Sequence, residues 1–305
     1  MNKTGPVMNR EFNFSLSGLV REKRPLIHCI TNYVTAGDVA NVILACGGSP
    51  IMADYPEEAE EITALSNCLL LNMGTPKETG KAAMLRAGKE ANRLNHPVIF
   101  DPVGVGASHY RTGTALSILK KVKATVIRGN VSELRILLNA LTGHGAGKDR
   151  AVSPIRGVDA SPSDQITEDT LTSLMETAKA LSAMTGAVTV MTGTTDIVST
   201  WKETWLIKNG CPEMSHITGS GCMLDGIIAA YVAAASGSAG SIAPQHVLLE
   251  AAALATAVSG LCGERAAKKT EEIHGGTGSF RCYFLDEVSL SDESILKGGV
   301  TIEIP

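Results

Sequence analysis

The residues with the most chemistry to offer lie between Ile217 and Asp225, where Thr218, Gly219, Ser220, Gly221 and Cys222 open an apolar, Ala-rich run from Gly226 to Ala235. The run predicts a buried helix, whose first N–H groups have no partner inside it. Glycines at such a start let the backbone approach a ligand closely. Together with the positive end of the helix dipole, they present a donor-rich hole to an anion. Gly219, Ser220, Gly221 and Cys222 are therefore the candidate catalytic residues. Cys222 stands in the first turn, where the same field favours a thiolate. The plainer reading is that a short Gly-x-Gly before a helix only turns the chain, and that a cysteine in an Ala-rich helix only packs.

Two carboxylates accompany this hole. Asp101 closes an apolar run, Val98 to Phe100, and leads into a glycine-rich turn through Gly104 and Gly106; Glu133 follows Asn130 by three residues. Two carboxylates beside an anion site suit a Mg²⁺ that keeps several waters and takes few protein ligands. Asn130 and Glu133 equally fit an N-cap with its capping-box partner. Arg128 is a candidate contact for a phosphate or nucleotide, since its fork matches anion oxygens. Thr192 and Gly193 could touch a nucleotide or turn the chain. His28 lies inside an apolar run and reads as a core histidine. The segment from Gly143 to Asp149 mimics a phosphate-binding loop but lacks its glycine spacing and its Ser/Thr after the lysine.

Elements that could position these residues are legible in the hydrophobic runs. Strands are predicted at 26–30, 50–53, 69–74, 98–102, 124–128 and 188–191, with a hairpin at 196–200 and 204–208. Helices are predicted between them, at 14–22, 35–46, 76–94, 112–122, 130–139, 167–185 and 244–269, and an apolar segment spans 279–288. Continuous apolar strands alternating with helices imply a parallel sheet covered on both faces. Ligands gather at the carboxyl ends of such strands, so Asn72, Asp101, Arg128 and Thr192 should share one edge. Residues 1–13 are expected to be an extension. The Gly- and Pro-rich stretch 141–166 is expected to be a flexible excursion from a single domain spanning 14–305.

The composition restricts function without naming it. The 305 residues carry a net charge of −4, which offers no footprint for nucleic acid. The apolar runs 226–235 and 251–258 are too short for a membrane span, and no secretory signal opens the chain. Seven scattered cysteines, none in a Cys-x-x-Cys pair, fit a reducing, cytoplasmic setting.

In combination and in order, the motifs resemble the hydroxyethylthiazole kinase family of the ribokinase-like superfamily. The matching pieces are Pro25 to Val34, Ser49 to Ala53, Asp101 to Ala107, Val126 to Glu133, Ile217 to Cys222, and Gly278 to Arg281 with Leu285 and Asp286. The resemblance implies a single-domain α/β fold of three layers, with a mostly parallel central sheet and no separate lid domain. It implies transfer of a phosphoryl group from ATP to the hydroxyl of 4-methyl-5-(2-hydroxyethyl)thiazole in thiamine biosynthesis or salvage. Cys222 would stand where most of the superfamily has an Asp base. Asp101 and Glu133 would hold Mg²⁺, and Arg128, Asn130, Thr192 and Gly193 would face ATP. Met52, Gly219 and Asn32 would line the thiazole pocket, at a subunit boundary of a homotrimer. Asp54 and Tyr55 depart from the smaller residues expected beside Met52, and Thr277 from a usual proline. The alternatives are another ribokinase-like enzyme, such as a nicotinamide-nucleotide-hydrate dehydratase or a related vitamin kinase, a catalytically silent nucleotide-binding regulator, and a thiol hydrolase.

Overall fold

Successive side chains of a strand point to opposite faces of its sheet. Leu69, Leu70 and Leu71 are nevertheless all fully buried, so the sheet that contains them must be covered on both sides. The computed structural model, which describes residues 12–143, 166–237 and 240–305, has that arrangement. The expected extension over 1–13 and excursion over 141–166, including the rejected phosphate-loop mimic, fall outside the described residues except at their edges.

Strand and helix alternate as α1 (Leu16–Lys23), β1 (Leu26–Ile30), α2 (Ala36–Cys46), β2 (Ser49–Met52), α3 (Ala59–Leu65), β3 (Cys68–Asn72), α4 (Glu78–Arg93), β4 (Val98–Asp101), α5 (His109–Leu119), β5 (Val126–Asn130) and α6 (Val131–Leu141). Then come α7 (Glu168–Thr185), β6 (Val188–Thr192), the hairpin strands β7 (Asp196–Ser199) and β8 (Thr204–Ile207), and a 3₁₀ turn (Pro212–His216). The chain finishes with α8 (Ser220–Ser236), α9 (Gln245–Glu272), α10 (Thr277–Leu290), α11 (Glu293–Gly299) and β9 (Ile302–Glu303). All described strands join one sheet in the order β2-β1-β3-β4-β5-β6-β7-β8-β9. It is parallel from β2 to β6 and antiparallel beyond.

Two apolar cores sandwich the sheet. Leu70, Ile99 and Val126 face α1, α2, α8, α9 and α10, while Leu69, Leu71, Phe100 and Ile127 face α3 to α7. The helix predicted from residue 112 begins at His109 instead, because the Ser108 hydroxyl caps it by accepting from the Arg111 N–H. The apolar segment 279–288 is the inner part of α10. α11 and β9 lie beyond the predicted elements; β9 has only two residues, too few for a periodic signal. The reading of run 251–258 as too short for a membrane span needs correction. It belongs to α9, whose 28 residues suffice by length and composition, but α9 is largely enclosed by the fold.

The strand order reverses direction between β1 and β3, which opens a crevice beyond their carboxyl ends. Register then fixes what faces it: Asn72 pairs with Asp101 across β3 and β4, and Asn130 pairs with Thr192 across β5 and β6. Because Leu70 anchors the sheet face beneath this edge, Leu70→Ala should lower unfolding free energy by about 2–5 kcal/mol, the usual cost of such a cavity. Leu65→Ala, at a position 70% exposed, should cost no more than ~0.5 kcal/mol. Urea denaturation of the two variants measures the difference.

Candidate active site

The start of α8 is built by two glycines for different reasons. Gly219 has φ 85°, a left-handed conformation, and a Cβ there would lie 2.6 Å from Thr35 Cγ2. At Gly221 a Cβ would lie 2.3 Å from Arg128 Nη2, so only glycine lets that guanidinium lie against the helix. No side chain caps this end among the described residues, and its backbone N–H groups are left for the cleft. The cleft, about 1030 Å³, runs from Asn32 and Thr35 past Asp101 and Glu133 to Thr192, Gly193 and the segment Asn209 to Ile217. That is room enough for a nucleotide and a small second substrate.

The floor of this cleft holds charges that sequence spacing did not fully expose. Asp101 and Asp225 are both completely buried. Asp225 lies one helical turn after Cys222, on the same face, and a ligand atom from each of Asp101, Cys222 and Asp225 falls within 4.8 Å of the others. Arg128 Nη1 donates to Asp101 Oδ2 at 3.3 Å, and Nη2 donates to Thr192 Oγ1 at 3.2 Å. Its Nε lies 3.9 Å from Asp225 Oδ1. Asn72 Nδ2 donates to Asp101 Oδ2 at 2.8 Å and to Asp225 Oδ2 at 3.2 Å.

Two buried carboxylates thus share one guanidinium. Burial, and then repulsion from Asp225, raise the Asp101 carboxyl well above the usual range, against the pull of Arg128. Burial likewise raises Asp225. For Arg128, burial works toward a lower value, and the fields of Asp225 and Asp101 outweigh it and keep the guanidinium charged. Glu133 is pushed up to about 7, by burial and by Asp101. At Cys222 burial, Asp101 and Asp225 push the thiol up to about 11, against the thiolate that the helix start alone would favour. The helix field favours the anion, but two nearby carboxylates and a low dielectric disfavour it more.

The predicted site residues are distributed as follows. Cys222, Gly219, Ser220, Gly221, Arg128, Asn130, Thr192, Gly193, Asp101, Glu133 and Asn32 all line the one cleft. Met52 lies apart, in an adjoining pocket of about 250 Å³ with Tyr33, Asp54 and Lys77. Asn130 and Glu133 form the capping box, with Asn130 Oδ1 accepting from the Glu133 N–H and Glu133 Oε2 from the Asn130 N–H, both at 2.9 Å. Glu133 Oε1 also accepts from the Gly104 N–H at 2.7 Å, which ties the glycine-rich turn to α6. His28 is a core residue, its ring between Thr63 Oγ1 and the Ala53 carbonyl, 2.8 Å from each. Asp225 and Asn72 had no assigned role; the i, i+3 spacing of Cys222 and Asp225 was the available signal for one of them.

Residues 18–293 match the model of the hydroxyethylthiazole kinase family. The chain is 46% identical over 269 residues to the hydroxyethylthiazole kinase of Clostridium acetobutylicum, covering 88% of this chain and 91% of that one. Among solved structures it is similar to the hydroxyethylthiazole kinase protein of Pyrococcus horikoshii, with a TM-score of 0.77, 27% identity, and coverage of 96% and 98%. It also shares its fold with a ribokinase-like superfamily protein of Enterococcus faecalis, with a TM-score of 0.53, 13% identity, and coverage of 92% and 100%.

The raised carboxyls carry a pH dependence with a definite sign. Between pH 6 and 8 the folded protein holds protons on Glu133 and its neighbours that the unfolded chain has lost. Stability therefore falls as pH rises through that window. In EDTA the melting temperature should be lower at pH 8 than at pH 6. Asp225→Asn, which removes one of the crowded charges, should flatten the dependence; an unchanged slope would contradict the sharing of Arg128.

Proposed function

The chain belongs to the hydroxyethylthiazole kinase family, and from that premise we propose that its cleft transfers the γ-phosphoryl of ATP to the hydroxyl of 4-methyl-5-(2-hydroxyethyl)thiazole. The observation that carries this reading is the uncapped start of α8, opening beside Asp101, Arg128 and Cys222 on one cleft. Phosphoryl transfer asks a protein for positioning and for donors aimed at equatorial oxygens, with little covalent chemistry. The N–H groups of Ser220, Gly221 and Cys222 supply such donors, and a donor of this type is worth about 10²–10³ in kcat. Arg128 and Thr192, bonded to each other at the end of the sheet, face the nucleotide phosphates in this reading, with Asn130 and Gly193 along the same wall. Asn32 and Gly219 border the acceptor alcohol, and Met52 contributes from the adjoining pocket.

The donor set also fits Mg²⁺, a hard cation that prefers oxygens. Asp101 Oδ1 is buried and accepts no hydrogen bond among the described residues. Asp101 would hold the ion directly; Glu133, whose oxygens already accept from backbone N–H groups, would hold it through water. Bound there, Mg²⁺ would neutralise phosphate charge.

A neutral thiol at Cys222 alters the general-base reading. The alcohol needs modest assistance, and a group protonated up to about 11 supplies little of it at neutral pH. Tyr33 and Met52, exposed apolar residues that line the smaller pocket, support a homotrimer with its thiazole sites at subunit boundaries. Seven free thiols support a cytoplasmic setting.

A coupled assay with ATP and the thiazole alcohol tests the reading: ADP should form only when the alcohol is present, and its formation without the alcohol at the same rate would overturn it. The parent's turnover should climb with pH from 7 to 10, since the thiolate fraction grows about tenfold per unit below its pKa. Cys222→Asp should turn over at least as fast as the parent at pH 7 with a flatter profile. Cys222→Ala should lose about tenfold, less than a fully ionised base would cost. Light scattering should give three times the 31.9 kDa chain mass, and Tyr33→Glu should lower it.

A further inference from the structure

Asn72 ends β3 almost wholly buried, and every hydrogen-bonding position of its amide can be assigned. The chain of assignments starts at Asn32. Its Oδ1 accepts from the Val34 and Thr35 N–H groups, both at 3.1 Å, so its Nδ2 must point the other way. There Asn32 Nδ2 donates to Asn72 Oδ1 at 3.0 Å and to Cys222 Sγ at 3.4 Å. Asn72 Oδ1 also accepts from the Gly74 N–H at 3.0 Å. Three backbone donors therefore orient both amides. Turning Asn72 over would set its NH₂ against two other donors.

The result is that Asn72 Nδ2 faces three acceptors with two hydrogens. Asp101 Oδ2 at 2.8 Å and Asp225 Oδ2 at 3.2 Å are nearer and stronger acceptors than Cys222 Sγ at 3.4 Å. Both hydrogens go to the carboxylates, and the sulfur takes the remaining one from Asn32. Oδ2 of Asp101 is held by Asn72 and Arg128 and Oδ1 accepts from no donor among the described residues, while the Asp101 carboxyl also hydrogen-bonds the Asp225 carboxyl.

We propose that Asn72 is a positioning residue for phosphoryl transfer: through the Asn32–Asn72 amide pair it fixes Asp101 with Oδ1 free and ties the 32–35 loop to the catalytic carboxylates. The inference rests on the functional reading above. It gives Asn72 a role distinct from filling the core. The acceptor side of its amide holds the loop that borders the alcohol, and the donor side holds the carboxylates.

Substitutions can separate the two sides. Asn72→Asp keeps the acceptor oxygen toward Asn32 and Gly74 but faces Asp101 and Asp225 with another acceptor. It should lower kcat by about 10–100-fold, the scale of lost outer-shell support, with KM for the thiazole alcohol within about threefold of the parent. Asn72→Leu removes both sides and should raise that KM by about tenfold or more as well. A readout independent of turnover is the rise in melting temperature on adding Mn²⁺, which should be smaller for Asn72→Leu than for the parent, because the Asp101 carboxyl is no longer held in place. Parent-like kcat in Asn72→Asp, equal losses of kcat and KM in both variants, or an unchanged Mn²⁺ response would overturn the proposal. If Asn72→Asp does not fold, Asn72→Ser, which keeps one donor, should hold kcat within about tenfold of the parent while Asn72→Leu does not; equal kcat in the two would overturn it. Should the parent fail to phosphorylate the alcohol, the functional reading falls, and the Mn²⁺ comparison still decides the role of Asn72.

Discussion

Two buried carboxylates sharing one guanidinium are the constraint on which the rest of the structure turns. Asp101 and Asp225 crowd one guanidinium in a low-dielectric floor, where burial raises both carboxyls even beside Arg128, and Arg128 could not be buried as a cation without them. The cluster dictates local sequence on three elements. β4 must end on a carboxylate, β5 must send a guanidinium across it, and α8 must carry glycine at 221 so that the guanidinium fits. Replacing Arg128 by an apolar residue would leave two buried carboxyls without their cation, which is why the group behaves as a unit.

The same cluster links fold to chemistry. The sheet's reversal between β1 and β3 supplies the crevice, and parallel register brings Asn72 beside Asp101. Helix α8, packed against those two strands, delivers its N-terminal donors to the same point. In the proposed reading, the cluster, with its excess of carboxylate over guanidinium, would take a cation and the donor-rich start of α8 an anion. A nucleotide triphosphate with its metal carries both. Positioning of this kind is what phosphoryl transfer requires.

Much of this was legible in the amino-acid sequence, and the remainder has identifiable physical reasons. Asp101, Arg128 and Thr192 could be placed because apolar strands that alternate with helices put their carboxyl ends on one edge. The capping box at Asn130 and Glu133 could be read from spacing alone. The charge state of Cys222 could not. Its helix terminus is a local signal, whereas the carboxylates that oppose ionisation include Asp101, brought in from 121 positions away by the fold. Asn72 read only as a strand end, because its role depends on which partners saturate its amide. Met52 was grouped with Asn32 and Gly219, but a strand's sequence does not reveal which side of the 32–35 loop its last residue will meet. The two-residue β9 was invisible to any periodicity.

In the proposed reading the floor of the cleft is short of positive charge and holds a proton that a bound cation would displace. Calorimetric titration of the protein with Mn²⁺ at pH 7, in two buffers of different ionisation enthalpy, tests this directly. Carboxylates must shed protons to bind a metal, so the account predicts heats that differ between the buffers in the sense of net proton release, and less release in Asp225→Asn. Equal heats in the two buffers, with Mn²⁺ bound, would contradict it.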